Sequence, residues 1–164
     1  MKSALLFGGL WVALAANAQS GLFVSADNQV ELNCEAGAMV DAPCTIATAH
    51  GQPVPVHFSS TDSARYPRLL GEAREKTLAS GQLKFPLNAA DAELLRGLDL
   101  EKCYPADRIG SAPGRSQGDL LQLCIPANSA ATVFLFMRGL CDRCTFEPIA
   151  LRKQAGTRPN STRK

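Results

Sequence analysis

Apolar and polar positions alternate with a period of two along much of the chain, the pattern of strands that bury one face. In QVELN, residues 29–33, Val30 and Leu32 fall on one side with Cys34 next in line, while Glu31 and Asn33 fall on the other. Segments of similar character are GLFVS (21–25), CTIAT (44–48), PVPVHF (53–58), QLKFPL (82–87), LLQLCI (120–125), ATVFLFM (131–137) and CTFEPIALR (144–152). ADN at 26–28 and HGQP at 50–53 read as turns between successive strands, and PANSA at 126–130 joins two further segments as an antiparallel pair. LLQLCI and ATVFLFM are nearly all apolar, which places them as central strands.

One helix has the expected end signals. In LNAADAELLRGL, Asn88 serves as a cap, Asp91 and Glu93 suit the positive end of the helix, and Gly97 stops it. It is short and fits over a barrel mouth or a sheet edge. In SARYPRLLGEAREKTL, Pro67 and Gly71 interrupt any long helix, so residues 60–80 read as loops with uncertain strands. Many short strands with frequent turns predict an all-β fold: an antiparallel β-sandwich or jelly roll, stapled by disulfides, with one short helix at about 88–97. The closing FEPIALRK is similar to the terminal strand of carbohydrate-binding jelly rolls, which implies the second form.

The first residues follow a different logic. Lys2 is a positive start, LLFGGLWVALA is a short apolar core, and Ala16-Asn17-Ala18 fits the small-x-small pattern of signal-peptidase sites. The apolar run is too short to span a bilayer, which takes about 20 residues. Residues 1–18 are therefore expected to be a cleaved export signal, which removes the chain's single Trp. Residues 19–152 are expected to form one β-sandwich domain, and residues 153–164 a disordered basic tail. The expected location is the periplasm or the medium.

Charge narrows the partners. The 17 Lys and Arg nearly balance the 15 Asp and Glu, and five of the bases fall from Arg152 onward with no acid among them. The body carries no basic stripe, which argues against nucleic acid as a partner.

All six cysteines, Cys34, Cys44, Cys103, Cys124, Cys141 and Cys144, lie after the signal. An even number in an exported chain reads as three disulfides. Pairing of neighbours gives Cys34–Cys44, Cys103–Cys124 and Cys141–Cys144. The CDRC spacing of the last pair also occurs in thiol–disulfide enzymes, but those need a helix after the first Cys. Thr145, Phe146 and Ile149 favour a strand, and Pro148 would break such a helix. GLCDRC is thus a hairpin tip stapled across its own turn. No second ligand pair accompanies it, so no metal and no cofactor is expected.

Catalytic signals are weak. GRSQG at 114–118 matches the G-x-S-x-G pattern, but a strand follows Ser116 and both histidines, His50 and His57, lie upstream, so order and context fail. His57, with Ser59 and Asp62 in HFSSTD, is the other acid/base candidate. No catalytic residue is assigned. The expected function is a non-catalytic, exported protein-binding protein, such as an inhibitor or an immunity-type protector, with another envelope or secreted protein as its partner. The alternatives are a carbohydrate- or envelope-polymer-binding jelly roll and a thiol–disulfide enzyme using Cys141 and Cys144. Two segments with Tyr-Pro dipeptides, 65–76 and 103–119, supply the candidate contacts: Tyr66, Arg68, Arg74, Tyr104, Arg108 and Arg115. Tyr and Arg are the residue types enriched at interface hot spots.

Overall fold

The computed structural model describes residues 21–35, 39–80, 87–110, 112–113, 119–139 and 144–154. Among these residues nine strands run in the order β1 (Gly21–Ser25), β2 (Val30–Cys34), β3 (Pro43–Thr48), β4 (Val54–Phe58), β5 (Tyr104–Ile109), β6 (Ala112–Pro113), β7 (Leu121–Cys124), β8 (Thr132–Arg138) and β9 (Phe146–Lys153). Two helices, α1 (Pro67–Ser80) and α2 (Ala89–Arg96), and a 3-10 turn (Leu100–Lys102) are inserted between β4 and β5. Every pairing is antiparallel, and β4 also pairs with β5, so the sheet closes on itself.

This closure corrects the expected sandwich or jelly roll. The molecule is an eight-strand antiparallel barrel, with β6 a two-residue return from β5, and it carries two short helices rather than one. Apart from β6, each strand lies beside its neighbours in sequence, and β9 returns to β1. Alternation along a strand is the same in a sandwich and in a barrel, because both bury one face of each strand. What distinguishes them is β5, which makes the closing seam. YPADRI within CYPADRIGSAPGRSQGD reads as a loop because Pro, Asp and Arg dominate it, yet its backbone pairs with both β4 and β7.

The inside of the barrel is packed. Phe23, Leu32, Phe58, Leu123, Leu135, Ile149 and Leu151 are fully buried there with Met39. Eight strands leave an interior just wide enough for side chains to fill.

A second cluster lies outside the barrel wall. Phe134, Phe136, Phe146 and Ala150 of β8 and β9 pack beneath Leu70 and Ala73 of α1 and Leu95 of α2. Strands β7 and β8 therefore bury both faces, which explains why LLQLCI and ATVFLFM read as continuous apolar runs. They are central between two cores, not central in an open sheet.

The α1 helix is the largest element that the sequence pattern misses. Pro67 stands at its first position, where the missing N–H costs nothing and the fixed φ already suits a helix. Gly71 lies inside it without ending it. The α2 helix meets its expected signals: Asn88 accepts from the Asp91 amide at 2.8 Å and Gly97 is its C-cap.

Two disulfides join neighbouring strands. Cys34 and Cys44 stand opposite each other on β2 and β3, with Cα atoms 4.1 Å apart. Cys103 and Cys124 join the entry of β5 to the end of β7, with Cα atoms 4.4 Å apart. Cys144 is also disulfide-bonded, while Cys141, its expected partner, lies outside the described residues. The segment QLKFPL lies outside them too, except Leu87, which precedes the α2 cap and is not in a strand. Among the described residues, no helix is long and apolar enough to cross a membrane.

Candidate functional site

The side chain that organises the outer surface is Gln122, at the middle of β7. Its neighbours Leu121 and Leu123 belong to the barrel core, so the strand's alternation turns Gln122 outward. It is nonetheless completely buried. Its amide nitrogen donates to the Arg65 carbonyl at 2.6 Å, and its amide oxygen accepts from the Arg65 N–H at 3.0 Å. One side chain thereby satisfies both backbone groups of a residue in the loop before α1. A buried amide with both partners met is a rigid fastening, because breaking it strands a donor and an acceptor away from water.

The next residue is Tyr66. Its φ is 54°, in the left-handed region that bulky side chains rarely adopt. Its carbonyl accepts from the Leu70 N–H at 3.1 Å and so opens α1. Tyr66 remains 46 % exposed, and Tyr66 and Leu22 are the exposed large hydrophobics among the described residues. Farther along α1, Arg74 donates to the Leu98 carbonyl at 3.3 Å, which ties the helix to the segment after α2.

A groove of about 290 Å³ runs between α1 and the end of the β8–β9 hairpin. Leu69, Ala73, Phe146 and Cys144 supply its apolar surface, and Glu72, Lys76, Arg138 and Thr145 complete the lining. Leu69, Glu72, Ala73 and Lys76 recur at spacings of three and four on the helix, which places them on one face. Arg138 donates from Nε to the Cys144 carbonyl at 2.8 Å, and its backbone N–H bonds to the Leu120 carbonyl at 2.8 Å. Glu72 faces Arg68 at 3.6 Å along the helix. Lys76 forms no ion pair among the described residues.

Gly139 allows the chain to pass close to the Cys144 sulfur. A Cβ at this position would stand 2.8 Å from Cys144 Sγ, closer than real Cβ contacts come. Gly139→Ala is therefore expected to displace the Cys144 bridge and lower stability by about 1–3 kcal/mol, the range for overpacking. A urea denaturation curve would check this, and an unchanged midpoint would show that the sulfur shifts freely.

The six candidate contact residues separate. Tyr66 and Arg68 stand together at the head of α1, and Arg68 is highly exposed. Arg74 is largely buried by its bond to Leu98 and its pairing with Glu75 at 3.1 Å. Tyr104 packs against the barrel interior, and Arg108 is exposed on β5. Arg115 and Ser116 lie outside the described residues. Sequence reading missed Gln122, Lys76, Arg138 and Phe146 as parts of a surface feature. Pro67 followed by Leu69, Leu70 and Ala73 was the available signal, since Pro opens helices as readily as it breaks them.

The His57 candidate is assembled differently from the HFSSTD reading. His57 Nδ1 lies 2.8 Å from Asp107 Oδ1 across the β4–β5 seam. Ser59 is buried and bonds Thr61 instead. Nearby, the Asp41 carboxyl is held below the ordinary aspartate value, chiefly by the Ser60 hydroxyl, then by the Ser60 amide, with His57 contributing least. Among the described residues, no group of three His, Cys, Asp or Glu side chains is placed to hold a metal ion. Cys144 leads through Thr145 directly into β9, so no helix begins at this cysteine.

Comparison with protein-family models, with curated proteins and with solved structures finds no match.

Proposed function

We propose that this chain is an exported, non-catalytic binding protein that engages another envelope or secreted protein through the face of α1 headed by Tyr66, in the manner of an inhibitor or immunity-type protector. The observation that carries this reading is Tyr66: an exposed aromatic at φ 54°, held there by the buried Gln122 clamp on Arg65. A left-handed conformation at a bulky residue costs roughly 1 kcal/mol or more, and such strain collects at functional positions. Exposing a large ring adds nothing to folding, whereas rigid aromatics are the commonest anchors of protein interfaces. The barrel interior, filled by large side chains, leaves recognition to the outer surface. The signal-like N-terminal pattern and the disulfides support export.

Tyr66→Asn separates function from folding, because Asn tolerates the left-handed region. The variant is expected to be as stable as the parent or more stable by up to about 1 kcal/mol. It is also expected to lose the partner that the parent captures from envelope extract. Equal capture by the two proteins, or capture of no protein by the parent, would overturn the reading.

A further inference from the structure

The groove along α1 extends the protein-binding reading, on which it rests, to what the partner presents. We infer that the groove accepts an apolar side chain of the partner flanked by a carboxylate, as in an acidic peptide segment with one aliphatic or aromatic anchor.

Size and lining set the first half. About 290 Å³ is at the lower end of ligand-site volumes and suits one large side chain with part of its backbone. Leu69, Ala73, Phe146 and Cys144 supply its apolar lining. The wall that holds them is rigid: Phe146 and Ala73 are buried in the helix–barrel cluster, and Arg138 ties the hairpin end to the Cys144 carbonyl. An anchor entering this groove therefore gains burial without first ordering its site.

Charge sets the second half. The lining holds two cations, Lys76 and Arg138, and one anion, Glu72. Glu72 already faces Arg68, which stands outside the lining. Among the described residues Lys76 has no ion-pair partner, and neither has Arg138, whose Nε is used on the neutral Cys144 carbonyl. A carboxylate beside the anchor would meet both cations. A basic segment would meet them as well, at a cost.

The test is panning of a displayed random heptapeptide library on the intact disulfide-bonded protein, followed by anisotropy measurements with the selected peptides. Two surface variants accompany it: Lys76→Glu, which inverts the charge, and Thr145→Trp, which obstructs the mouth at an exposed position. Thermal melts confirm that each variant folds. The expected consensus pairs an apolar residue with an adjacent Asp or Glu. Lys76→Glu is expected to weaken the selected peptides by about fivefold to tenfold, since it turns an exposed attraction into a repulsion. Thr145→Trp is expected to abolish binding. A basic or acid-free consensus would overturn the inference, and so would equal binding by Thr145→Trp. Laurate competing more tightly than the peptides would overturn it too, because a fatty acid also joins an apolar body to a carboxylate. The broader reading fails separately, through the Tyr66→Asn capture experiment. Capture that depends on Tyr66 but is unmoved by Lys76→Glu and Thr145→Trp would leave that reading intact and remove this one.

Discussion

Replacing Asp91 with alanine is expected to lower the unfolding free energy by about 3 kcal/mol, the low end for breaking a buried ion pair. Asp91 does two jobs from one position. At the start of α2 its amide donates to the Asn88 side chain at 2.8 Å, and its carboxylate reaches back toward the Asn88 N–H at 3.5 Å, closing a capping box. The same carboxylate takes a two-pronged contact from the Arg152 guanidinium on β9. Its side chain is only 3 % exposed, whereas that of Arg152 is 40 % exposed. The asymmetry sets the expected ordering. Asp91→Ala leaves a cation that water reaches, but it also removes the cap acceptor. Arg152→Met leaves an anion buried with only its cap bonds, so it is expected to cost as much. A double-mutant cycle read by urea denaturation should give a coupling of at least about 1 kcal/mol, as for residues in one charged network. A loss below about 1 kcal/mol for Asp91→Ala would mean that the carboxylate gains little from either partner. The pair also explains why Arg152, grouped by composition with the basic tail, belongs to the barrel: its backbone stands opposite Val24 on one side and Thr132 on the other.

The elements legible in the sequence are those whose signals are local. Val30, Leu32 and Cys34 alternate cleanly and form one face of β2, and Asn88 with Gly97 brackets α2 within a residue. The turn at 26–28 is equally local: Asn28 has φ 56°, a conformation that Asn tolerates. The elements that were not legible depend on distant partners. Strand β5 contains Pro105, Asp107 and Arg108, and it is a strand because β4 and β7 offer it backbone groups on both sides. Barrel closure is a property of that seam and leaves no separate mark in the alternation. Helix α1 was obscured because Pro67 has opposite meanings at the first position of a helix and in its interior.

The site divides along the same line. Tyr66 and Arg68 were legible as exposed-type residues in a polar segment. Gln122 was not, because a Gln inside LLQLCI looks like a solvent-facing interruption until the loop before α1 is laid over it. Its burial follows from α1 covering the wall, and α1 itself was unread. The groove is one step further removed, since it needs α1 and the β8–β9 hairpin to be set side by side. In QLKFPL the alternation implied a strand, yet Leu87 lies in the approach to the α2 cap. A short alternating run beside a strong cap signal is ambiguous, and here the cap governs its end.

Removing the Cys103–Cys124 bridge by double substitution with alanine is expected to cost about 3 kcal/mol on the chain-entropy account, for a sequence separation of 21. A chain of this size then loses on the order of 10 °C in melting temperature. The Cys34–Cys44 bridge, with a separation of 10, is expected to contribute about 0.7 kcal/mol less by the same account. Burial does not separate the two, because all four sulfur-bearing residues are at most 4 % exposed. Local pairing does. Strand β2 meets β3 continuously from Val30–Thr48 to Cys34–Cys44, so its disulfide reinforces a ladder that already holds. Strand β5 meets β7 through Tyr104–Leu123 and Pro105–Gln122, and Pro105 has no N–H to give. Cys103–Cys124 takes the next position along that seam and supplies covalently what the ladder lacks. Loss of the bridge should therefore open the β5–β7 seam before the barrel melts globally. Amide exchange across residues 104–109 and 121–124 would accelerate in the Cys103→Ala/Cys124→Ala variant, while exchange in β2 and β3 stays slow. Uniform acceleration throughout the barrel, or a smaller loss than the matched Cys34→Ala/Cys44→Ala variant shows, would contradict this assignment of the seam.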